Sequence, residues 1–338
     1  LPMATHRQRM LKAFSFDNPD KLPIYYHPSM AGLYVHGQKL ADLFNAYPPD
    51  NYADFDKIPQ PPADAFDADG SYHEFVTDEW GVEWEYRIFG IAGHPRKCPL
   101  ADWANLESYE LPALHEVDKS EVARVRGEYL VWAPLWVSIF EKISALRPFE
   151  EVLMDLQCGD SNMVALVEKI CDWHRRSIDV CIDAGYDVFL LADDWGTQQG
   201  LFLAPEFFRS FFKPRIAELI GEIHKAGRLV VYHSCGAVEP LFEDLVEIGI
   251  DGLWHQSNLY EPQAFAEKAA EAKVLLYVHL DRQNLIPLGS PAEIRDAVKQ
   301  YAEIHKALGG GAILYAEIEN DAPFENVEAM IKAMNQYR

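Results

Sequence analysis

The sequence predicts an α/β protein, a (β/α)8 (TIM) barrel with an inserted cap near its N-terminus. Three observations lead there. From about residue 180 onward, short apolar runs alternate with amphipathic segments. Each run closes on a polar side chain. At 338 residues the chain has the length of one large barrel domain and can bury the core such a barrel needs. Strand alternating with helix means parallel strands with covered faces, and in a barrel the site is built where the strands end.

In chain order, KLPIYY (21–26) and EYLVWA (128–133) are expected to supply the early strands. Between them, about residues 38–117 are rich in Asp, Pro, Tyr and Trp with weak periodicity, and form the insertion or cap. Within it VTDEWGVEWEYR (76–87) alternates as a hairpin strand does. Further strands are expected at 187–194, 229–235, 252–256, 274–281 and 312–319. Helices are expected near 205–226, 238–247, 261–273, 290–308 and 324–336. The whole of 1–338 reads as one domain, with Leu1-Pro2 before Met3 set aside as an expression scar.

The polar strand ends are Asp193 and Asp194, His233 and Cys235, His255, His279 and Asp281, and Glu317 and Glu319. In LVVYHSCGAVEP (229–240), side chains alternate faces along the strand, so His233 and Cys235 point the same way and Ser234 away. Imidazole and thiolate are both good ligands for zinc. Gly236 then permits the sharp turn into a helix. Alone this is half a metal site, and a buried His and Cys also occur as plain core.

Composition narrows the partners. Lys plus Arg number 30 against 53 Asp plus Glu, a formal charge of −23, which argues against nonspecific binding to nucleic acid or an acidic membrane. It also disfavours a heavily carboxylated substrate. The five cysteines contain no CxxC pair, so a reducing cytoplasm is the expected location. No stretch reaches the ~18 apolar residues of a spanning helix.

Four segments carry a resemblance: 140–156 (FEKISALRPFEEVLMDL), 193–215 (DDWGTQQGLFLAPEFFRSFFKPR), 233–253 (HSCGAVEPLFEDLVEIGIDGL) and 309–330 (GGGAILYAEIENDAPFENVEAM). In order and content they resemble the uroporphyrinogen decarboxylase superfamily, a (β/α)8 fold shared by true decarboxylases and by zinc methyltransferases that work with corrinoid proteins. The decarboxylases grip a polycarboxylate macrocycle with Arg residues near the first strand. Here residues 22–37 contain no Arg, and the late Gly-His-Gly segment of that branch is missing. The methyltransferase branch binds zinc through His-x-Cys at a strand end plus a third ligand near the last strand, commonly Cys. His233 and Cys235 match, but no cysteine follows Cys235. Glu317, or else Glu319, stands near the third position, and a carboxylate is an acceptable zinc ligand.

The resemblance therefore implies zinc held by His233, Cys235 and Glu317, and a corrinoid (cobalamin) carried by a partner protein. The expected reaction is transfer of a methyl group from a small methoxylated, aromatic substrate to cobalt, an O-demethylation. Asp193 and His255 are the candidate catalytic groups. Gln198, Gln199, Trp195, Trp254 and His279 are the candidate substrate contacts, and Trp80, Trp84, Trp132 and Trp136 are further flat walls for a flat ring. Three alternatives stay open: methyl transfer from methylcobalamin to a thiol, uroporphyrinogen decarboxylation, and a noncatalytic barrel that binds a ligand or a corrinoid protein. A homodimer is compatible with all of them.

Overall fold

The structure, a computed structural model, describes residues 4–338, so Leu1-Pro2 lie outside it. Its main sheet has seven parallel strands: β1 (Ile24–Pro28), β5 (Trp132–Val137), β6 (Val188–Ala192), β9 (Leu229–Ser234), β10 (Gly252–His255), β11 (Leu275–Val278) and β12 (Ala312–Ile318). They lie in the order β1-β12-β11-β10-β9-β6-β5. The insertion forms a three-stranded antiparallel sheet of β2 (Glu74–Thr77), β3 (Glu83–Tyr86) and β4 (His94–Lys97). A small hairpin of β7 (Gly196–Thr197) and β8 (Gly200–Leu201) follows β6.

Each late strand falls inside its expected run, because β-branched and aromatic residues there are buried on both faces. The helix expected at 205–226 carries a π-helical stretch, Phe208–Phe212, ahead of Lys213–Lys225. The insertion begins with a helix, Gln38–Ala46, whose buried face is Leu40, Ala41, Leu43 and Phe44. Three glycines at positive φ, Gly309 to Gly311, turn the chain into β12. A Cβ on Gly311 would lie 1.9 Å from the Phe16 ring, so no other residue fits there.

The eighth strand of the expected barrel is not formed among the described residues: β1 and β5 do not pair. The gap falls where the second barrel strand belongs, and the chain passing it carries Pro48-Pro49, which have no N–H to give to a ladder. Asp50 and Asn51 take over the edge of β1. Asp50 donates its N–H to the Ile24 carbonyl at 2.7 Å and accepts the Ile24 N–H on its carboxylate at 2.9 Å. The Asn51 side chain accepts from the Tyr26 N–H at 2.9 Å and donates to the Tyr26 carbonyl at 3.2 Å. Two residues thus satisfy the groups a strand would have satisfied.

The seam is stapled by the helix His6–Phe14, which also closes the N-terminal end of the barrel with Met10 and Phe14 against Val188, Val231 and Ile313. Arg7 grips Asp187 on the β6 side, and Arg9 grips Asp50 on the β1 side. Asp50 is fully buried and also takes His6 at 2.8 Å and Arg338 at 2.8 Å. Burial alone would raise its carboxyl, but the His6 hydrogen bond, Arg338, the Ile24 N–H and Arg9 together hold it below the usual range. Asp187 is likewise held down, by Arg7 and Arg126 against burial.

Asp50→Asn should therefore cost about 3 kcal/mol, because it leaves the buried Arg338 guanidinium without its carboxylate and Arg9 with Asp20 alone. Urea denaturation at neutral pH measures this. A depressed carboxyl stabilises the fold fully above its unfolded-chain value, about pH 4, and that contribution is lost as pH falls through the folded-state value. The thermal midpoint of the wild type should drop through that acid window. Asp50→Asn should show a shallower drop, since one of the responsible groups is gone.

Candidate metal centre

β9 delivers the two residues singled out by their spacing. Parallel pairing sets Ala192 opposite His233 on one side and His233 opposite Trp254 on the other. From there the His233 ring places Nδ1 3.0 Å from the Trp254 carbonyl. That contact fixes Nδ1 as the protonated nitrogen and turns Nε2 toward the cavity. Nε2 lies 3.5 Å from Cys235 Sγ and 3.5 Å from an Asp194 oxygen. The same Asp194 oxygen accepts the Cys235 N–H at 2.8 Å. The three ligand atoms lie within 4.8 Å of one another. Tetrahedral zinc, with bonds near 2.0–2.3 Å, sets neighbouring N, S and O donors about 3.3–3.8 Å apart, so the donor set and spacing fit the ion.

Gly236 holds this turn in place. Its φ is +81°, and a Cβ would lie 2.5 Å from the Gly196 carbonyl oxygen, so the β7–β8 hairpin packs directly on the backbone after the ligand cysteine. The electrostatics favour a cation. Burial would lower the His233 pKa, but Asp194 and Cys235 outweigh it and push it up to about 10. A nest that holds a proton this firmly at Nε2 offers the same place to a divalent ion.

The cavity measures about 80 Å³ and is walled by His233, Cys235, Trp254, His255, Gln256, His279, Arg282 and Glu317. Glu317 faces it, as expected, but its carboxylate is engaged by Arg282. Glu319 lies beyond the end of β12, in a separate outer cleft. The carboxylate beside the His-Cys pair is that of Asp194. Trp136, 44% exposed, stands at the mouth with its ring 5.6 Å from His233 and edge-on to Trp254 at 6.3 Å. Its Nε1 donates to Glu141 at 2.7 Å.

Other expected site residues are placed differently. Asp193 is buried and accepts the N–H groups of Ile139 and Glu141 at 3.1 and 2.8 Å, so it anchors the start of the helix Phe140–Leu146 instead of reaching the cavity. Burial and the nearby Glu141 keep its carboxyl well above the usual range. The His255 ring packs on Tyr260 and Phe265, on the opposite face of β10 from Trp254; burial lowers its pKa to about 3 and leaves it neutral. Trp195 is core: its ring lies among Phe140, Phe208 and Phe212, and its Nε1 donates to Tyr232. Trp80 packs on Trp173, Trp84 donates to Asp78, and Trp132 donates to Tyr277, all away from the cavity. Gln198 and Gln199 are exposed on the hairpin; Gln198 bridges to Gln283 above the site. His279 does line the cavity, with ring nitrogens 3.0 Å from the Leu280 carbonyl and 2.7 Å from that of His255.

Two functional residues escaped the sequence reading. Asp194 was legible only as the second of an Asp pair, and which of the two turns inward depends on the register of β6 against β9. Arg282 follows His279 by three residues in VHLDR, past the end of β11, where strand alternation gives no direction.

Comparison with known proteins agrees with this architecture. Over 164 residues, 46% of this chain, it is 27% identical to a methylcobamide:CoM methyltransferase, MtaA, of Methanosarcina barkeri, and equally so to that of the Fusaro strain of the same species. The match spans 43% of those relatives, less than half their length. The fold matches a methyltransferase from Methanosarcina mazei with a TM-score of 0.69 at 17% identity, over 98% of this chain and 99% of that one. No helix among the described residues is long and apolar enough to cross a membrane. The profile of the uroporphyrinogen decarboxylase (URO-D) family matches residues 138–337, the stretch that carries β6 to β12 and the candidate ligands Asp194, His233 and Cys235, and the chain belongs to that family.

Proposed function

We propose that this chain is a zinc-dependent methyltransferase that moves a methyl group from a small methoxylated, aromatic substrate to the cobalt of a corrinoid held by a partner protein. The observation that carries the reading is the convergence of His233, Cys235 and Asp194 at the C-terminal ends of β9 and β6, beneath the aromatic mouth of Trp136 and Trp254. These three residues would hold zinc, with Glu317 as the second carboxylate of the cavity. Zinc there would supply Lewis acidity toward the heteroatom that carries the methyl group.

The chain's own residues do the rest. The Trp254 carbonyl keeps His233 in its ligating tautomer, and the N–H of Cys235 holds the Asp194 carboxylate against the pair. Trp136 and Trp254 exclude water from one side and offer faces to a planar ring. Decarboxylation of a polycarboxylate macrocycle is poorly served: a single Arg and no Lys line the cavity, and its volume is far below that of a macrocycle. The likeness to MtaA favours a second reading, transfer from methylcobalamin to a thiol, at the same metal site.

Zinc content tests the centre. Protein purified without a polyhistidine tag should bind one zinc per chain, and Cys235→Ala should lose it while keeping its circular dichroism. Asp194→Asn should weaken zinc more than Glu317→Gln does. The reverse order would make Glu317 the third ligand.

Activity tests the reaction. Mixed with a reduced corrinoid protein and a methoxyaromatic, the zinc-loaded chain should convert cob(I)alamin to methylcob(III)alamin, seen in the cobalt spectrum, with release of a phenol. Chelation should stop it. Inert methoxyaromatics together with demethylation of methylcobalamin by a thiol would transfer the assignment to the second reading.

A further inference from the structure

The cavity at the metal centre, about 80 Å³, has the space of only about two or three waters. Outside it a cleft of about 630 Å³ opens between Ser29, the loop around Ile88 to Ala92, and the chain beyond β12. A substrate larger than a methylated heteroatom must extend out of the inner cavity, and this cleft adjoins the cavity at Arg282. Arg282 is the one residue that lines both spaces, and it is the only Arg or Lys in either wall among the described residues. It stands at the neck between them.

Its guanidinium is only partly used. Nη1 donates to Glu317, and Nη2 approaches Cys235 Sγ at 3.8 Å. Its remaining N–H groups have no protein acceptor among the described residues, and the side chain is 33% exposed. A planar cation with free donors, placed beside the thiol and open to the cleft, matches the paired oxygens of an oxyanion.

We infer that the small substrate carries a carboxylate or similar oxyanion close to its reacting heteroatom, and that Arg282 binds it. The heteroatom then enters the inner cavity while the charged end lies at the neck, beside the cleft. This rests on the methyl-transfer reading for what reacts, but not for the charge selected. The other charged walls of the cleft are Glu319 and Asp321, and the chain as a whole carries −23. Among the described residues an oxyanion at the neck therefore finds no Arg or Lys other than Arg282, and a cationic tail is the competing outcome.

Calorimetric titration of the zinc-loaded full chain with 3-methoxybenzoate, methoxybenzene and 3-methoxybenzylamine decides between them. The benzoate should bind at least about tenfold tighter than methoxybenzene, the scale of one charge-assisted hydrogen bond. Arg282→Gln should erase that preference, and Arg282→Lys should keep part of it as a point charge, with zinc content and circular dichroism recorded for each. A benzoate no tighter than methoxybenzene, an amine that binds tightest, no binding of any probe, or a preference that survives in a folded Arg282→Gln overturns the inference. Preferential binding of the benzoate with no demethylation would sink the methyl-donor reading and leave Arg282 its role. Equal binding of all three with demethylation would do the opposite.

Discussion

The contact on which the centre depends is that of His233 Nδ1 with the Trp254 carbonyl, 3.0 Å away. A histidine at a strand end can rotate, and either nitrogen can carry the proton. Here the neighbouring strand supplies an acceptor at the one place that fixes both rotation and tautomer. The acceptor is backbone, so its position follows from the pairing of β9 with β10 and not from any side chain that could move. The candidate metal centre is thus a property of sheet register: β10 orients the imidazole, β9 spaces it from the thiol, and the chain leaving β6 brings the carboxylate.

Register in turn needs a closed barrel, and this barrel lacks a strand. The missing ladder is replaced by two hydrogen-bonded residues on the edge of β1 and by a helix whose arginines grip both banks of the gap. Those devices sit at the N-terminal end, while the ligands sit at the C-terminal end. The division separates stability from the candidate site: the stabilising ion pairs lie at one end, and the rim that carries His233, Cys235 and Asp194 is built from short strand ends and loops.

The sequence was most informative where periodicity applied. His233 and Cys235 were legible as a pair because a strand alternates faces, and the late strands because apolar runs there are continuous. It was least informative past a strand end, where Asp194 lies two residues beyond β6 and Arg282 four beyond β11. Asp193 is placed differently from its expectation for a related reason: a polar residue at a strand end can face inward or toward the covering helices, and Asp193 anchors the helix Phe140–Leu146, whereas His255 touches the cavity with its ring packed on Tyr260 and Phe265. Trp195 looked like a pocket wall, yet Phe208 and Phe212, spaced along the following helix, enclose it as core. The absent strand left one mark, the Pro48-Pro49 pair, inside a stretch already read as irregular.

The acidity of the chain acquires a local meaning at this centre. Cys235 and Glu317 line a cavity with a single guanidinium, Asp194 stands beside the His-Cys pair, and Asp194 and Cys235 favour the protonated form of His233. Carboxylates gathered in a buried cavity repel one another unless positive charge is supplied. Arg282 answers Glu317, and the proton on His233 answers Asp194 and the thiol. The second of these is exchangeable. Zinc at Nε2 would take the place of that proton, so the acidic groups that favour the proton would also favour the metal. The same walls would repel an anionic substrate everywhere except beside Arg282, which makes one side chain at the neck the determinant of which charge can approach.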